Sequence, residues 1–217
     1  MRAILCEAPG RLALVEIDRP ELKPGEARVA IRHIGICGTD YHIFEGTHPF
    51  LEYPRVMGHE LSGVVIDPNG SALKAGDAVV INPYLPCYHC PACLEGKTNC
   101  CETLKVIGVH SDGGMAEEIA IPAANLYPAG DLSLRDAAMV EFLSIGAHAV
   151  RRTELKPGAR VLVVGGGPIG LGVAFFAKIA GGEVSILDAA PDKLDSARGF
   201  RFGPFGPGEL DGDASRT

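Results

Sequence analysis

Three cysteines follow one another at three-residue steps, Cys87, Cys90 and Cys93, and a fourth, Cys101, comes eight residues later. Four thiols at this spacing can close around one tetrahedral ion. Zinc bound by four cysteinates has a complete shell, with no place for water or substrate, so the expected role is a structural staple. Pro91 suits a tight loop between ligands because it fixes one backbone angle. Cys100 abuts Cys101 and competes as the fourth ligand. A disulfide pair is disfavoured: Arg2 leads into a strand-like run rather than a signal peptide, and thiols that are not exported stay reduced. An iron–sulfur cluster also takes four cysteines, but the spacing favours zinc. Cys6, in an N-terminal strand pattern, reads as a buried thiol.

The chain has 217 residues, and its 47% apolar content supports a real core. Twenty basic residues against 27 acidic ones leave a net charge of −7 with no basic block, which argues against nucleic-acid binding. No apolar run approaches the length of a membrane span. Seven cysteines without an export signal point to a cytoplasmic protein.

The first part reads as β-rich. Short apolar or alternating runs at Ala3–Cys6, Arg11–Ile17, Ala27–Ile34, Leu61–Ile66, Ala78–Ile81 and Ala116–Ile121 are separated by turns such as Pro9-Gly10 and Pro24-Gly25. This rhythm predicts a partly closed β-barrel, interrupted by the cysteine lobe over 84–101. After residue 130 the texture changes. Ser133–Val150 is helical, with Ser133 as N-cap. Arg160–Val164 is a short buried strand, Leu171–Ala180 a helix, Glu183–Leu187 a second strand and Pro191–Arg198 the start of another helix. The expected class is therefore α/β: a β-rich domain over 1–150, a βαβ unit of a parallel sheet over 151–200, and a disordered tail over 201–217.

Between strand and helix lies Gly165-Gly-Gly167-Pro-Ile-Gly170. A bare G-x-G-x-x-G is weak, but this one follows a buried strand and opens a helix. Gly165 permits the tight turn, Gly167 lets the backbone approach a pyrophosphate, and Gly170 lets helix and strand pack closely. The helix N-terminus favours the phosphates. Asp188, at the end of the next strand, can accept both ribose hydroxyls and would repel a 2′-phosphate, so NAD is expected over NADP. The bland reading is a structural glycine turn with Asp188 as a helix cap.

A second constellation is mixed. Cys37 lies in Gly35-Ile-Cys37-Gly38-Thr39-Asp40-Tyr41-His42, and His59 and Glu60 follow Met57-Gly58. A cysteine, a histidine and a carboxylate from separate loops suit a catalytic zinc with an open position. Each also has an ordinary role: a buried thiol, a turn residue, a solvated charge. Glu141 is the only charge in the apolar stretch 137–147, and a buried carboxylate needs a strong partner, whether a metal, a backbone N–H or an arginine such as Arg152.

Taken in order, these motifs resemble the zinc-containing medium-chain alcohol and polyol dehydrogenases, a group with sorbitol, threonine and sugar-acid dehydrogenases. The resemblance runs from residue 1 to about 200, through Cys37–His42, Gly58–Glu60, the four-cysteine lobe, Glu141-Phe-Leu-Ser-Ile-Gly146 and the glycine turn. The segment His48–Glu60 is most similar to bacterial sugar-acid or polyol dehydrogenases of the L-galactonate dehydrogenase kind. The resemblance implies a GroES-like catalytic domain over 1–150, the first half of a Rossmann-type NAD-binding domain with its parallel sheet over 151–200, two zinc ions per chain (one structural, one catalytic), and NAD. It implies Cys37 and His59 as catalytic-zinc ligands, with Glu60 as a ligand or exchanging with water. Glu141 would stand where alcohol dehydrogenases place a second cysteine, Asp40 would orient the histidine, and Cys101 would complete the structural site. Thr39 would take the substrate proton and pass it through the nicotinamide ribose towards His42; Thr39 and Asp40 could equally serve as a helix cap. The implied substrate is a small alcohol in a pocket near Phe44, Phe50, Tyr84 and His110, and the implied assembly a homo-oligomer.

The chain departs from that pattern at its end. A doubly wound domain needs six strands, and from Arg160 there is room for about two. Gly199–Thr217 shows no helical or strand period. These features lead to the expectation of a truncated or frame-shifted product without the usual dimer edge, with impaired oxidation of alcohols. The alternatives are an inactive fragment that keeps only zinc and a zinc-stapled interaction module.

Overall fold

Backbone hydrogen bonds sort the chain into several small sheets, and the computed structural model describes them over residues 1–49 and 51–207. In order, the first unit holds β1 (Arg2–Ala8), β2 (Arg11–Glu16), β3 (Glu26–Gly35), α1 (Gly38–Glu45), β4 (Arg55–Val56), β5 (Glu60–Asp67), β6 (Ala78–Ile81), β7 (Tyr84–Leu85), α2 (Pro91–Leu94), β8 (Lys105–Val106), β9 (Glu118–Pro122), β10 (Leu126–Pro128), α3 (Leu134–Ala137) and the start of α4 (Val140–Thr153). The second continues with β11 (Arg160–Val164), α5 (Pro168–Ile179), β12 (Glu183–Leu187), α6 (Pro191–Gly199) and β13 (Gly203–Phe205). The compact units divide at Glu141/Phe142, inside α4, where the sequence pattern set the boundary at 150/151.

The first unit is built on an antiparallel five-stranded sheet, β10-β6-β5-β3-β9, beside a three-stranded sheet, β2-β1-β4. The partly closed barrel expected from the sequence is built from these partial sheets. Alternation along β3, β5 and β6 sends Val29, Leu61, Val65, Val79 and Ile81 into one core with Ile119 and Ile121 from β9. Ala116–Ile121 was expected as one strand, yet β9 starts at Glu118. The reason lies in what precedes it: Gly113, Gly114 and Met115 donate backbone N–H groups to Val56, Gly58 and Met57, and Ala116 bridges Ala3. That segment stitches the loop before β5 to β1 before the chain can join β3.

Other differences are also local. Ser133 caps as expected, its hydroxyl accepting from Asp136 N at 3.1 Å. The helix it starts is short, because Met139 N turns back to Asp136 and α4 begins afresh at Val140. α5 begins at Pro168, three residues earlier than the spacing suggests; proline is suited to a first helical turn, where its missing N–H costs nothing.

In the second unit β11, β12 and β13 form a parallel sheet in that order. The presence of β13 corrects the expected disordered tail over 201–217. Phe202 is buried and packs edge-to-face on Phe175, with ring centroids 5.3 Å apart. That anchor lays Gly203–Phe205 along β12, in register Ser185↔Gly203. A strand held by backbone pairing and one aromatic anchor needs no side-chain period. The rest of that expectation, residues 208–217, lies outside the described residues. Among the described residues no helix is long and apolar enough to cross a membrane.

Ile81 is fully buried in the first unit's core. Ile81→Ala is expected to cost about 2–5 kcal/mol by transfer and cavity terms, read as a lowered denaturation midpoint with an unchanged denaturant slope.

Candidate functional site

Two antiparallel strands place the mixed constellation. β3 ends at Gly35, whose partner in the register is Glu60, the first residue of β5. Cys37 follows β3 as the N-cap of α1, and His59 immediately precedes β5. Donor atoms of Cys37, His59 and Glu60 therefore lie within 4.8 Å of one another. The close approach depends on a missing side chain: a Cβ on Gly35 would run into the Glu60 carboxylate.

Almost none of this is wet. His59, Glu60 and Asp40 are all less than a tenth exposed. Asp40 Oδ2 accepts from Cys37 N at 2.9 Å and so clasps the loop that carries the thiol. Its other oxygen, Oδ1, and His59 Nδ1 are buried without hydrogen-bond partners, 3.9 Å apart. Burial pushes the Glu60 carboxyl up. Burial also pulls the His59 imidazole down, but its hydrogen bond with Cys37 and the Asp40 charge outweigh it, and the net shift is upward. Two buried acids, an imidazole and a thiol with unsatisfied atoms are costly as they stand. A thiolate–imidazole–carboxylate set is the ligand chemistry of a borderline cation such as Zn²⁺, and the residues fit one.

Glu141 does not belong to the mutually close set. It flanks it, raising the Glu60 pKa through its charge, and accepts a hydrogen bond from the Tyr84 hydroxyl at 2.7 Å. Burial and the Glu141 charge together push the Tyr84 phenol upward. The Tyr84–Glu141 bond is absent from the sequence reading, which placed Tyr84 only as a pocket residue; nothing local links positions 57 apart. Thr39 is half-buried in the first turn of α1, and His42, three residues on, shares its helix face. His42 is exposed, with Nδ1 3.2 Å from Thr47 Oγ1. Phe50 lies outside the described residues.

The pairing of β7 with β8, Tyr84↔Val106 and Leu85↔Lys105, closes the base of the cysteine lobe. Within it Cys87, Cys90, Cys93 and Cys101 bring their sulfurs within 4.8 Å of one another. Cys100 is exposed and outside the quartet. The backbone supports the charged form of the sulfurs it can reach. The N–H of His89 draws the Cys87 thiol down to about 6, and the N–H of Cys87 lowers Cys101. Cys93 has less help and is pushed up to about 12 by burial. A dication among four sulfurs reverses that penalty.

At the glycine turn, Gly165 adopts φ +101°, open only to glycine without strain. A Cβ on Gly170 would strike the Gly165 carbonyl, so the first turn of α5 can sit against the end of β11 only with glycine there. Gly167 is the N-cap of α5, and a Cβ there would meet nothing. Asp188 carries a role the sequence did not show. Its Oδ2 accepts from Gly166 N at 2.6 Å and its Oδ1 from Ala190 N at 2.8 Å. The carboxylate thus ties the turn to the end of β12, and these N–H groups, Ala190 first, hold its pKa below the usual value.

With this geometry in place, the comparisons are consistent. Residues 23–131 match the alcohol dehydrogenase GroES-like domain. L-galactonate-5-dehydrogenase of Escherichia coli K12 is 46% identical over 197 residues, covering 90% of this chain and 58% of that protein. The crystal structure of galactitol-1-phosphate dehydrogenase from E. coli superposes with a TM-score of 0.88 at 32% identity, covering 96% of this chain and 62% of that one. An alcohol dehydrogenase (rspB) of E. coli CFT073, solved with NADH, gives 0.88 at 34%, covering 95% and 62%. The chain belongs to the zinc-type medium-chain alcohol and polyol dehydrogenase family. It spans about three fifths of the length of the curated relatives it matches.

Two outcomes are expected from this geometry. Cobalt(II) titration should give the intense thiolate charge-transfer absorption of a four-sulfur site, lost in Cys101→Ser and kept in Cys100→Ser. Asp188 has a depressed pKa, so its stabilisation is present above the ordinary value of 3.8 and drains away as pH falls through the lower folded value. Asp188→Asn should flatten that acid limb in denaturation measured from neutral pH down to about 2.

Proposed function

We propose that this chain carries the metal-holding domain and the first nucleotide-binding strands of an NAD-linked dehydrogenase that oxidises a secondary alcohol of a polyol or sugar acid to a ketone. The observation that carries this reading is the buried Cys37–His59–Glu60 set beside the unpartnered atoms of His59 and Asp40. Cys37 and His59 are the permanent ligands in this proposal. Glu60 is a ligand or yields its place to water, and Glu141, tethered by Tyr84, stands by the open side. Asp40 aims the imidazole. Zinc, when bound, supplies Lewis-acid polarisation that lowers the alcohol pKa by several units.

Thr39 accepts the substrate hydroxyl proton and hands it on towards His42, which at the exposed end of the same helix face can release it to water. Gly165–Gly170 and the N-terminus of α5 take the pyrophosphate, and Asp188 takes the adenosine ribose, favouring NAD over NADP. The nicotinamide, when bound, accepts the hydride. The cysteine lobe holds a second, structural zinc. The support for the substrate class is the likeness to the relatives named for L-galactonate and galactitol 1-phosphate.

Metal analysis combined with NADH formation from polyols and sugar acids tests the reading. One zinc for each of the two donor groups is expected, with turnover. Both zincs without NADH formation would leave a metal-binding chain that does not turn over, and a single structural zinc would leave a stapled module. Thr39→Ala should lower kcat by about 10²–10⁴-fold with zinc content unchanged; full activity in that variant would remove Thr39 from the proton path.

A further inference from the structure

A cavity of about 350 Å³ in the first unit is lined by Arg55 of β4, Lys105 of β8, His110, Glu52 and Thr103. Its cations are unequally engaged. Arg55 is pinned, with Nη1 3.3 Å from Asp112 Oδ1 and Nη2 3.5 Å from the Glu52 carbonyl. Its Nε is buried and has no hydrogen-bond partner. A buried guanidinium N–H without an acceptor is costly, and an anion in the cavity would satisfy it. Lys105 is exposed, and among the described residues its ammonium has no ion pair. His110 Nδ1 accepts from Val106 N at 3.1 Å, which leaves Nε2 as the ring nitrogen that carries the N–H and can donate.

Glu52 is the single acid among the lining residues. Asp112, the partner of Arg55, is mostly exposed, so solvent weakens its claim on the guanidinium. Two cations and an imidazole donor with one carboxylate suit a particular kind of ligand. It carries one anionic group for Arg55, Lys105 and His110, and hydroxyls that can donate to Glu52.

The cavity lies close to the metal-ligand set along the chain. Arg55 precedes His59 by four residues, a reach of at most about 14 Å. The segment after His110 is bonded to the loop before His59, through Gly113 N to Val56 O at 2.7 Å and Gly114 N to Gly58 O at 2.9 Å. His48 links the two places: burial lowers its pKa, and the charges of His110, His42 and His59 lower it further.

We propose that this cavity is the subsite for the anionic head group of the substrate, a carboxylate or phosphate ester at the end of a polyhydroxy chain, with Arg55 and Lys105 as its specificity determinants. The proposal rests on the dehydrogenase reading above and adds the charge of the substrate to it. Neutral polyols would occupy the site without engaging Arg55 Nε or the Lys105 ammonium.

The purified chain is titrated with galactonate, galactitol 1-phosphate and galactitol. Binding is followed by the imidazole proton resonance of His110, assigned with His110→Gln. One or both anions should shift that resonance saturably, at concentrations on the order of tenfold below those galactitol needs. The tighter of the two anions identifies the head group. Lys105→Gln, at an exposed position that should leave the fold intact, is expected to weaken anion binding on the order of tenfold and leave galactitol binding unchanged. Arg55→Lys, which keeps the charge but loses Nε–H, should do the same. Equal affinity for galactonate, galactitol 1-phosphate and galactitol, or an unchanged anion affinity in Lys105→Gln, overturns the proposal. Cobalt(II) is titrated into the same samples. Failure of the Cys37–His59 site to bind metal while anion preference persists sinks the dehydrogenase reading; normal metal binding with no anion preference sinks the subsite alone.

Discussion

The pairing of Gly35 with Glu60 across β3 and β5 is the constraint on which the first unit depends. Strand pairing brings the end of one strand and the start of the next to the same level, and the absent Cβ at Gly35 makes room for a carboxylate. Cys37 two residues beyond and His59 one residue before then have no freedom to avoid each other. The surrounding apolar sheet makes that meeting expensive. His59, Glu60 and Asp40 are buried, and Asp40 Oδ1 and His59 Nδ1 are left without partners. Such an arrangement is stable in the long run only if a cation neutralises it. A slip of one residue in this register would turn every side chain of β5 to the other face and dissolve the site.

Carboxylates do the same mechanical work in both units. Asp40 accepts from the backbone N–H of Cys37, and Asp188 accepts from those of Gly166 and Ala190. In each case a short acidic side chain orders a loop that would otherwise be slack, and leaves the loop presenting a donor: a thiol in one, the N-terminus of α5 in the other. This is pre-organisation by local hydrogen bonding, and it places the ordering cost in folding rather than in ligand binding. The β7–β8 ladder does the equivalent for the cysteine lobe, which it pinches off as a loop whose sulfurs converge.

Much of this was legible in the residues because its causes are local. Strands β11 and β12 have the limits that their apolar runs suggest, since each run is a short apolar block bounded by turns, but the burial expected of Arg160–Val164 holds only at Val163: Leu162 and Val164 are exposed, and in β12 only Ile186 is buried. The three-residue cysteine spacing already limits how far apart the sulfurs can be. What was not legible depends on partners far away in sequence. Residues 116 and 117 read as strand but are diverted to β1, Ala116 bridging Ala3 and Glu117 N bonding to Arg2 O, after residues 113–115 have bonded to the loop before β5. β13 has no pattern of its own and exists because Phe202 is buried against Phe175. Tyr84 was visible as an aromatic but not as the partner of Glu141.

The sequence by itself determined the donor types and their order: four cysteines for one closed shell, a cysteine, a histidine and acids for an open one, and a glycine turn ahead of an acid. Those follow from side-chain chemistry and short-range spacing, which a linear chain displays directly. The tertiary structure decided which of two adjacent cysteines joins the quartet, and that Glu60 rather than Glu141 meets Cys37 and His59. It also engaged both oxygens of Asp188 before any nucleotide arrives. Each of those outcomes turns on a fraction of a side chain's length in space, a distance set by strand register and packing rather than by any feature of the residue itself.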